Sequence, residues 1–437
     1  MVIGKMSVDV IVGLQRGDEG KGRFVDMLAE DHDIVARFNG GNNAGHTVVL
    51  PDGRELALHL VPSGIAHEGV MNVVGNGALI NPGMLLEEVG DIQSKGIEVS
   101  ADNLMISSAA HLILPSHIYD DMIRERGKGA QGSTKSGIAQ VASQKAMRVG
   151  ARAERINNDA DGLLALVYES LVAQRALRGA VDLKPIDELE ISKEYVDAAK
   201  KIGIYVTDTV LYLNKRLRQE TPARVLAEGA QAYWLDIDHG MYPFTTSSST
   251  TSGGVCTGLG IAPRFIGRVT GIAKAVQSHV GDGSFVTEIL DADTLTNLHG
   301  NMDKIDAEKG TTTGRVRRLG YLDLPQIRRS NMVNGTDDMA LTKLDWVPRY
   351  GDDVQVCVAY NRKGKVIEVA PDAAYKLDQS EPVYETLPTW HEDIQGARRF
   401  EDLPDNAQRY VAFIEEQTGL PISMIGVGPR RDQVIVR

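Results

Sequence analysis

The chain has 437 residues, 42% of them hydrophobic, and a formal net charge of −12 at pH 7. That acidity argues against a surface that coats nucleic acid and leaves anionic ligands to local clusters of arginine and lysine. Two cysteines, Cys256 and Cys357, give neither a disulfide framework nor metal spacing, no apolar run reaches the roughly 18 residues of a membrane helix, and no signal peptide opens the chain, so a cytoplasmic protein is expected.

Residues 8–12, 34–38 and 70–74 read as short buried strands, with a helix over about 21–30 between the first two. A second helix is expected over 82–95, where Pro82 suits a first helical turn. From 155 to 219 the pattern is mostly helical, with amphipathic runs at 162–177 and 193–217. Strands return at 224–227, 268–276, 339–344 and 354–360, the last folding through Lys363-Gly364 onto 366–369. The class is α/β: a large, mostly parallel central sheet flanked by helices, P-loop-like, with a helical subdomain over about 100–220 and smaller appended hairpins. No repeat or linker divides the chain, so residues 1–437 read as a single domain. Glycines and small polar residues gather at 13–22, 39–47, 127–139, 239–254 and 310–314, where backbone can approach a ligand.

The first of these loops, Gly13-Leu14-Gln15-Arg16-Gly17-Asp18-Glu19-Gly20-Lys21-Gly22, follows a strand and opens a helix, an arrangement that offers backbone N–H groups to phosphate. It departs from G-x-x-x-x-G-K-[ST] because Gly22 follows Lys21, so a magnesium ion needs another ligand, for which Asp18 is the nearest candidate. A glycine-rich turn with solvated charges is the alternative. The loop Asn39 to Thr47 would face the same end of the sheet, and there His46 could donate to a phosphoryl oxygen or be purely structural.

Further along, Glu228-Gly229-Ala230-Gln231 brings an amide able to read a purine, and residues 236–251 bring many hydroxyls that could bind phosphate. Thr311-Thr312-Thr313-Gly314-Arg315-Val316-Arg317-Arg318 sets three guanidiniums beside a flexible loop, suited to a small dicarboxylic acid. The same turn could instead be solvated and paired with Asp303, Asp306 or Glu308. Thr342-Lys343-Leu344-Asp345 carries the [NT]-K-x-D pattern, whose carboxylate accepts two guanine N–H groups that adenine does not offer.

Taken together in this order, with the terminal Gly426-Val427-Gly428-Pro429, these motifs resemble the adenylosuccinate synthetase family across essentially the whole chain. The resemblance implies a GTP-dependent ligase joining L-aspartate to IMP through a 6-phosphoryl purine, with Asp18, His46, Lys21 and Gln231 as catalytic residues. It implies GTP at Gly20, Lys21, Gly22, Lys343, Asp345, Gly428 and Pro429, and Mg²⁺ held by Asp18 and the Gly45 carbonyl. It implies IMP at Asp18, Asn43, Thr134, Arg148, Gln231 and Thr246, and L-aspartate at Thr312, Thr313, Arg315 and Arg317. A homodimer is implied as well, because in the family a neighbouring subunit contributes an arginine, here Arg148, to the nucleotide phosphate.

Departures border the acceptor nucleotide. The family's tryptophan before GDEGKG is Arg16, its histidine in GHNAGHT is Asn42, its glycine after EGAQ is Ala232, and Asp282 stands in the glycine turn 281–283. The loop 132–142 has Ser136 in place of an arginine, with about four residues fewer before Arg148. Asp282 admits the same chemistry on (d)GMP, giving 2-aminoadenylosuccinate; a non-catalytic GTP-binding regulator is a third reading.

Overall fold

The structure is a computed structural model that describes residues 7–50, 52–127, 132–299, 308 and 316–437. Ten strands form its main sheet: β1 Val8–Gly13, β2 Ile34–Arg37, β3 Met71–Val74, β4 Leu104–Ser107, β5 Val206–Thr207, β6 Val225–Glu228, β7 Ile266–Lys274, β8 Asp338–Thr342, β9 Ile422–Gly426 and β10 Val434–Val436. Their spatial order is β10-β9-β8-β7-β1-β6-β2-β3-β4-β5. All neighbours run parallel except β10, which returns antiparallel to β9.

Apolar runs become strands here because both faces of the sheet are covered, so β2, β6 and β8 are buried along their whole length. In β1, Val8, Val10 and Val12 pack with Val255, Leu259 and Phe265 on one face. Ile11 points the other way, onto Phe24 and Val25 of helix α1, Lys21–Ala29. The parallel register brings Gly13, Arg37, Glu228, Lys274, Thr342 and Gly426 to the carboxyl ends of six adjacent strands, the edge where open α/β sheets bind ligands.

The second half of the chain rejoins this sheet through β7 to β10, while Leu322–Asp323, Asp353–Arg362, Lys365–Ile367 and Glu381–Pro388 form a separate four-stranded sheet. Its hairpin turns at Lys363 and Gly364, both at positive φ, as a tight two-residue turn requires. Helices α2 Pro82–Ser94, α3 Pro115–Glu125 and α4 Ile138–Met147 are followed by further helices up to Leu217. The two long amphipathic runs are each divided. The first splits into Ala160–Ala173 and Arg175–Ala180 at Gln174, whose side chain donates to the Ser116 carbonyl at 2.7 Å. The second is Glu188–Ile202 and Thr209–Leu217, separated because β5 joins the sheet edge and Asp208 caps a new helix through Leu211 N–H at 2.9 Å. The strand expected over 339–344 ends at Thr342, since Lys343 turns into the left-handed region and begins a 3₁₀ turn. Among the described residues no helix is long and apolar enough to cross a membrane.

Candidate active site

After β1 the chain passes through three positive-φ residues, Gly17 (91°), Asp18 (58°) and Gly20 (85°), before α1 begins. Glu19 shapes this loop from within: its carboxylate accepts the Gly17 N–H at 2.8 Å and the Lys21 ammonium at 2.7 Å. The first turn of α1 has no side-chain cap, so its N–H groups and the helix dipole are available to an anion. Gly22 is fixed by close approach, because a Cβ there would lie 2.7 Å from the His46 Cβ. The missing Ser/Thr of the usual phosphate loop therefore has a steric cause.

His46 opens the hairpin His46–Val49/Glu55–Leu58 and is oriented by Glu228 at the end of β6, with Nδ1 2.5 Å from Oε1. The same carboxylate accepts from Arg37 at 3.0 Å, Ser63 Oγ at 2.7 Å and Ser63 N–H at 2.9 Å. Burial opposes the ionised carboxylate, yet Arg37 and then His46 outweigh it and hold the Glu228 pKa at about 2. An ionised Glu228 must receive a proton from Nδ1, so Nδ1 carries hydrogen and Nε2 is left for the cavity. Burial, reinforced by Arg37, lowers the His46 pKa and keeps the ring neutral near pH 7 when no anion is present.

A cavity of about 930 Å³ is lined by Asp18, Gly20, Lys21, Gly22, Asn43, Gly45, His46, Thr134, Gln231, Thr246, Arg317 and Lys343. Gln231, at φ 59°, buries both amide atoms without a protein partner, as does the Asn43 carbonyl oxygen. Unpaired amides in a cavity wall are costly unless a ligand satisfies them. Thr134 is placed by α3: Asp121 accepts from Ser133 Oγ at 2.8 Å and from Gly137 N–H at 3.0 Å, and Glu125 accepts from Gly132 N–H at 3.1 Å. Thr246 is placed by buried Asp236, which gathers the N–H groups of Asp238, His239 and Thr250.

In the same cavity, Asp18 Oδ2 meets Arg317 Nη2 at 2.8 Å. Arg317 Nη1 also donates to Glu308 at 3.0 Å, so the pairing weighed for a solvated turn does occur, but buried. Lys343 lies 3.4 Å from Glu308 and 3.4 Å over the Trp346 ring. Thr312, Thr313 and Arg315 lie outside the described residues.

Three expected nucleotide residues are not part of this cavity. Asp345, Gly428 and Pro429 lie beyond it on the α1 side, where Arg23 donates to the Gly428 carbonyl. Burial pulls the Arg23 pKa down to about 10, opposed by the Asp345 charge. Arg148 does not border the acceptor region of its own chain. Ile138, at the start of α4, lines the cavity, whereas Arg148 sits beyond its other end, roughly 15 Å away for a helix of this length. It opens instead on a second cavity of about 420 Å³ with His111, Lys145 and Arg152.

Among the departures, Arg16 is buried in the cavity wall, its Nη1 donating to Ser284 O at 2.6 Å and its guanidinium 4.8 Å above the Phe285 ring. Burial lowers its pKa to about 10, opposed by Asp323. Asn42 turns away, its amide 2.7 Å from the Met84 sulfur, and the exposed Asp282 lines the cavity. Sequence reading gave no role to Arg37, Glu228, Lys274 or Ser63. The available signal was a charged residue closing each of two otherwise apolar strands, Arg37 and Glu228, and a lysine closing β7.

The adenylosuccinate synthetase family model matches residues 10–435. The chain is 46% identical to an adenylosuccinate synthetase of Chlorobium chlorochromatii over 431 residues, covering 98% of this chain and 97% of that one. It is 44% identical to one of Saccharopolyspora erythraea over 441 residues, 99% of each. The solved structure of the fully ligated adenylosuccinate synthetase from Plasmodium falciparum is similar with a TM-score of 0.89 at 37% identity, covering 99% of this chain and 100% of that one. A cyanophage S-2L succinoaminodeoxyadenylate synthetase bound to dGMP and dATP shares the fold, with a TM-score of 0.58 at 18% identity over 98% of this chain and 95% of that one.

Proposed function

The chain belongs to the adenylosuccinate synthetase family, and on that premise we propose that Asp18 and His46 act on opposite sides of one purine oxygen. The enzyme is a GDP-forming ligase whose substrates are GTP, IMP and L-aspartate. In the assignment proposed here, Asp18 takes the N1 proton of IMP while O6 attacks the γ-phosphorus of GTP and GDP departs. His46 Nε2 donates to the transferring group, whose charge raises the proton affinity of the imidazole. The amine of L-aspartate then attacks C6, and phosphate leaves with the C6–O6 bond. Lys21 and the first turn of α1 hold phosphate oxygens, Gln231 and Asn43 meet the base, and Thr134 and Thr246 the 5′-phosphate. Arg317, with Thr312, Thr313 and Arg315, receives the carboxylates of aspartate, while Lys343, Asp345, Gly428 and Pro429 frame guanine.

One observation carries this reading: Asp18, His46 and the unpartnered Gln231 amide line one cavity. The donor set also suits Mg²⁺. Asp18 and the Gly45 carbonyl are hard oxygen ligands lining the same cavity, and this ion commonly takes one or two protein oxygens plus substrate phosphates and water. When bound, it would neutralise charge on the phosphate oxygens. Arg317 holds Asp18 through Oδ2 and would release that oxygen on taking up the amino-acid carboxylate.

The whole chain is then one unit, with about residues 100–220 as a helical subdomain carrying Thr134. We place it in the cytoplasm as a homodimer, with Arg148 reaching the neighbouring subunit's nucleotide. Phosphate release with GTP, IMP and L-aspartate, each omitted in turn and with dIMP, GMP and dGMP as alternative acceptors, tests the assignment. Release that needs all three substrates and Asp18 supports it, whereas GTP cleavage indifferent to aspartate would end it. The 42–46% identity to named synthetases, against 18% to the phage enzyme, favours IMP as acceptor.

A further inference from the structure

One carboxylate at the base of the cavity joins three cations from three separate parts of the chain. Glu308 is fully buried and lines the cavity. Lys274, closing β7, approaches its two oxygens at 3.0 and 3.2 Å; Lys343, following β8, lies 3.4 Å from Oε1; Arg317 Nη1 lies 3.0 Å from Oε2. The Arg317 backbone N–H donates to the Glu308 carbonyl at 2.9 Å, so residue 308 holds both the main chain and the guanidinium of Arg317. A carboxylate taken wholly out of water persists only with such compensation, and the cations around it are equally dependent on its charge.

The two terminal nitrogens of Arg317 are thus divided between Glu308 and Asp18. Lys343 is divided between Glu308 and the face of Trp346. A shift of either cation changes the electrostatic balance felt by the other through the carboxylate they share.

We propose that Glu308 is a positioning residue that couples the nucleotide subsite to the amino-acid subsite, by holding Lys343 and Arg317 in one register. This rests on the reading that Lys343 meets GTP and Arg317 meets L-aspartate. Glu308 touches neither substrate in this role; it sets where their ligands stand.

The test is a double-mutant cycle in steady-state kinetics on Glu308→Gln, Lys343→Met and the pair. Glu308→Gln is expected to raise KM for both GTP and L-aspartate about tenfold, with kcat within about threefold. Lys343→Met is expected to raise KM for L-aspartate several-fold where Glu308 is present and to leave it unchanged in the Glu308→Gln background. KM values equal to those of the wild type, additive effects in the double variant, or a loss confined to kcat would overturn the proposal. If Glu308→Gln does not fold, Glu308→Asp enters the same cycle. It keeps the charge but withdraws it by one methylene, and because the Lys343 contact is the longest it should raise KM for GTP more than for L-aspartate. Wild-type KM values for Glu308→Asp would count against the coupling. Wild-type protein that lacks aspartate-dependent phosphate release would instead sink the functional assignment itself.

Discussion

His46 Nδ1 and Glu228 Oε1 are both buried and stand 2.5 Å apart, which leaves the imidazole one nitrogen with which to meet a substrate. The pair joins residues 182 positions apart, and it exists because β6 lies beside β2 and the hairpin that begins at His46 packs against α1.

Glu228→Gln is expected to reduce kcat by about a hundredfold, because a neutral amide can neither fix the Nδ1–H tautomer nor balance Arg37. The same residue predicts an acid-side signature. Its folded pKa of about 2 lies below the usual 4.5, so its contribution to stability is complete above about pH 4.5 and is lost as pH falls towards 2. The variant should therefore show a shallower fall in thermal midpoint over that window than the wild type. Parallel curves would mean that Glu228 does not carry this part of the acid transition.

Gly22→Ser would restore the G-K-[ST] pattern of ordinary phosphate loops. It is nonetheless expected to impair the enzyme, because the new Cβ meets the His46 Cβ at 2.7 Å. Overpacking of this kind costs about 1–3 kcal/mol and displaces His46. A lowered thermal midpoint together with a kcat loss is the expected pair of results. A variant with wild-type kcat would show that His46 has room to move.

Asp345→Asn is expected to raise KM for GTP at least tenfold and KM for L-aspartate by less than about twofold, since one carboxylate answers two guanine donors. Asp345 also opposes the lowering of the buried Arg23 guanidinium's pKa, so a modest fall in thermal midpoint should accompany the change. Equal loss of both substrates would point to a collapsed loop rather than to guanine recognition.

How much of this was legible beforehand depends on how local the cause is. The turn from Gly13 to Gly22 could be read because its conformation is set within the loop: Gly17 and Gly20 occupy positive φ, and α1 starts where the pattern places it. The Glu228 cluster was not legible, because Arg37, His46, Ser63 and Glu228 meet only once β6 is inserted between β1 and β2. Strand order is a property of the whole sheet that no short window contains. The break between the helices Glu188–Ile202 and Thr209–Leu217 was hidden for a related reason, since β5 takes its strand geometry from pairing with β4 rather than from its own two residues.

Arg148 is a case where nearness in sequence misleads, and it supplies the sharpest test of assembly. Only 14 positions separate it from Thr134, yet α4 carries it away from the cavity that Thr134 lines and onto a second one. If it serves the neighbouring subunit, Asp18→Asn and Arg148→Leu are each expected to be nearly inactive alone. Mixed after reversible dissociation, they should recover about a quarter of wild-type activity. Half of the randomly paired dimers are then hybrids, and each hybrid combines an intact Asp18 from one chain with an intact Arg148 from the other at one of its two sites. An arginine acting within its own chain would leave every hybrid site defective, so a mixture no more active than its components would refute the shared site.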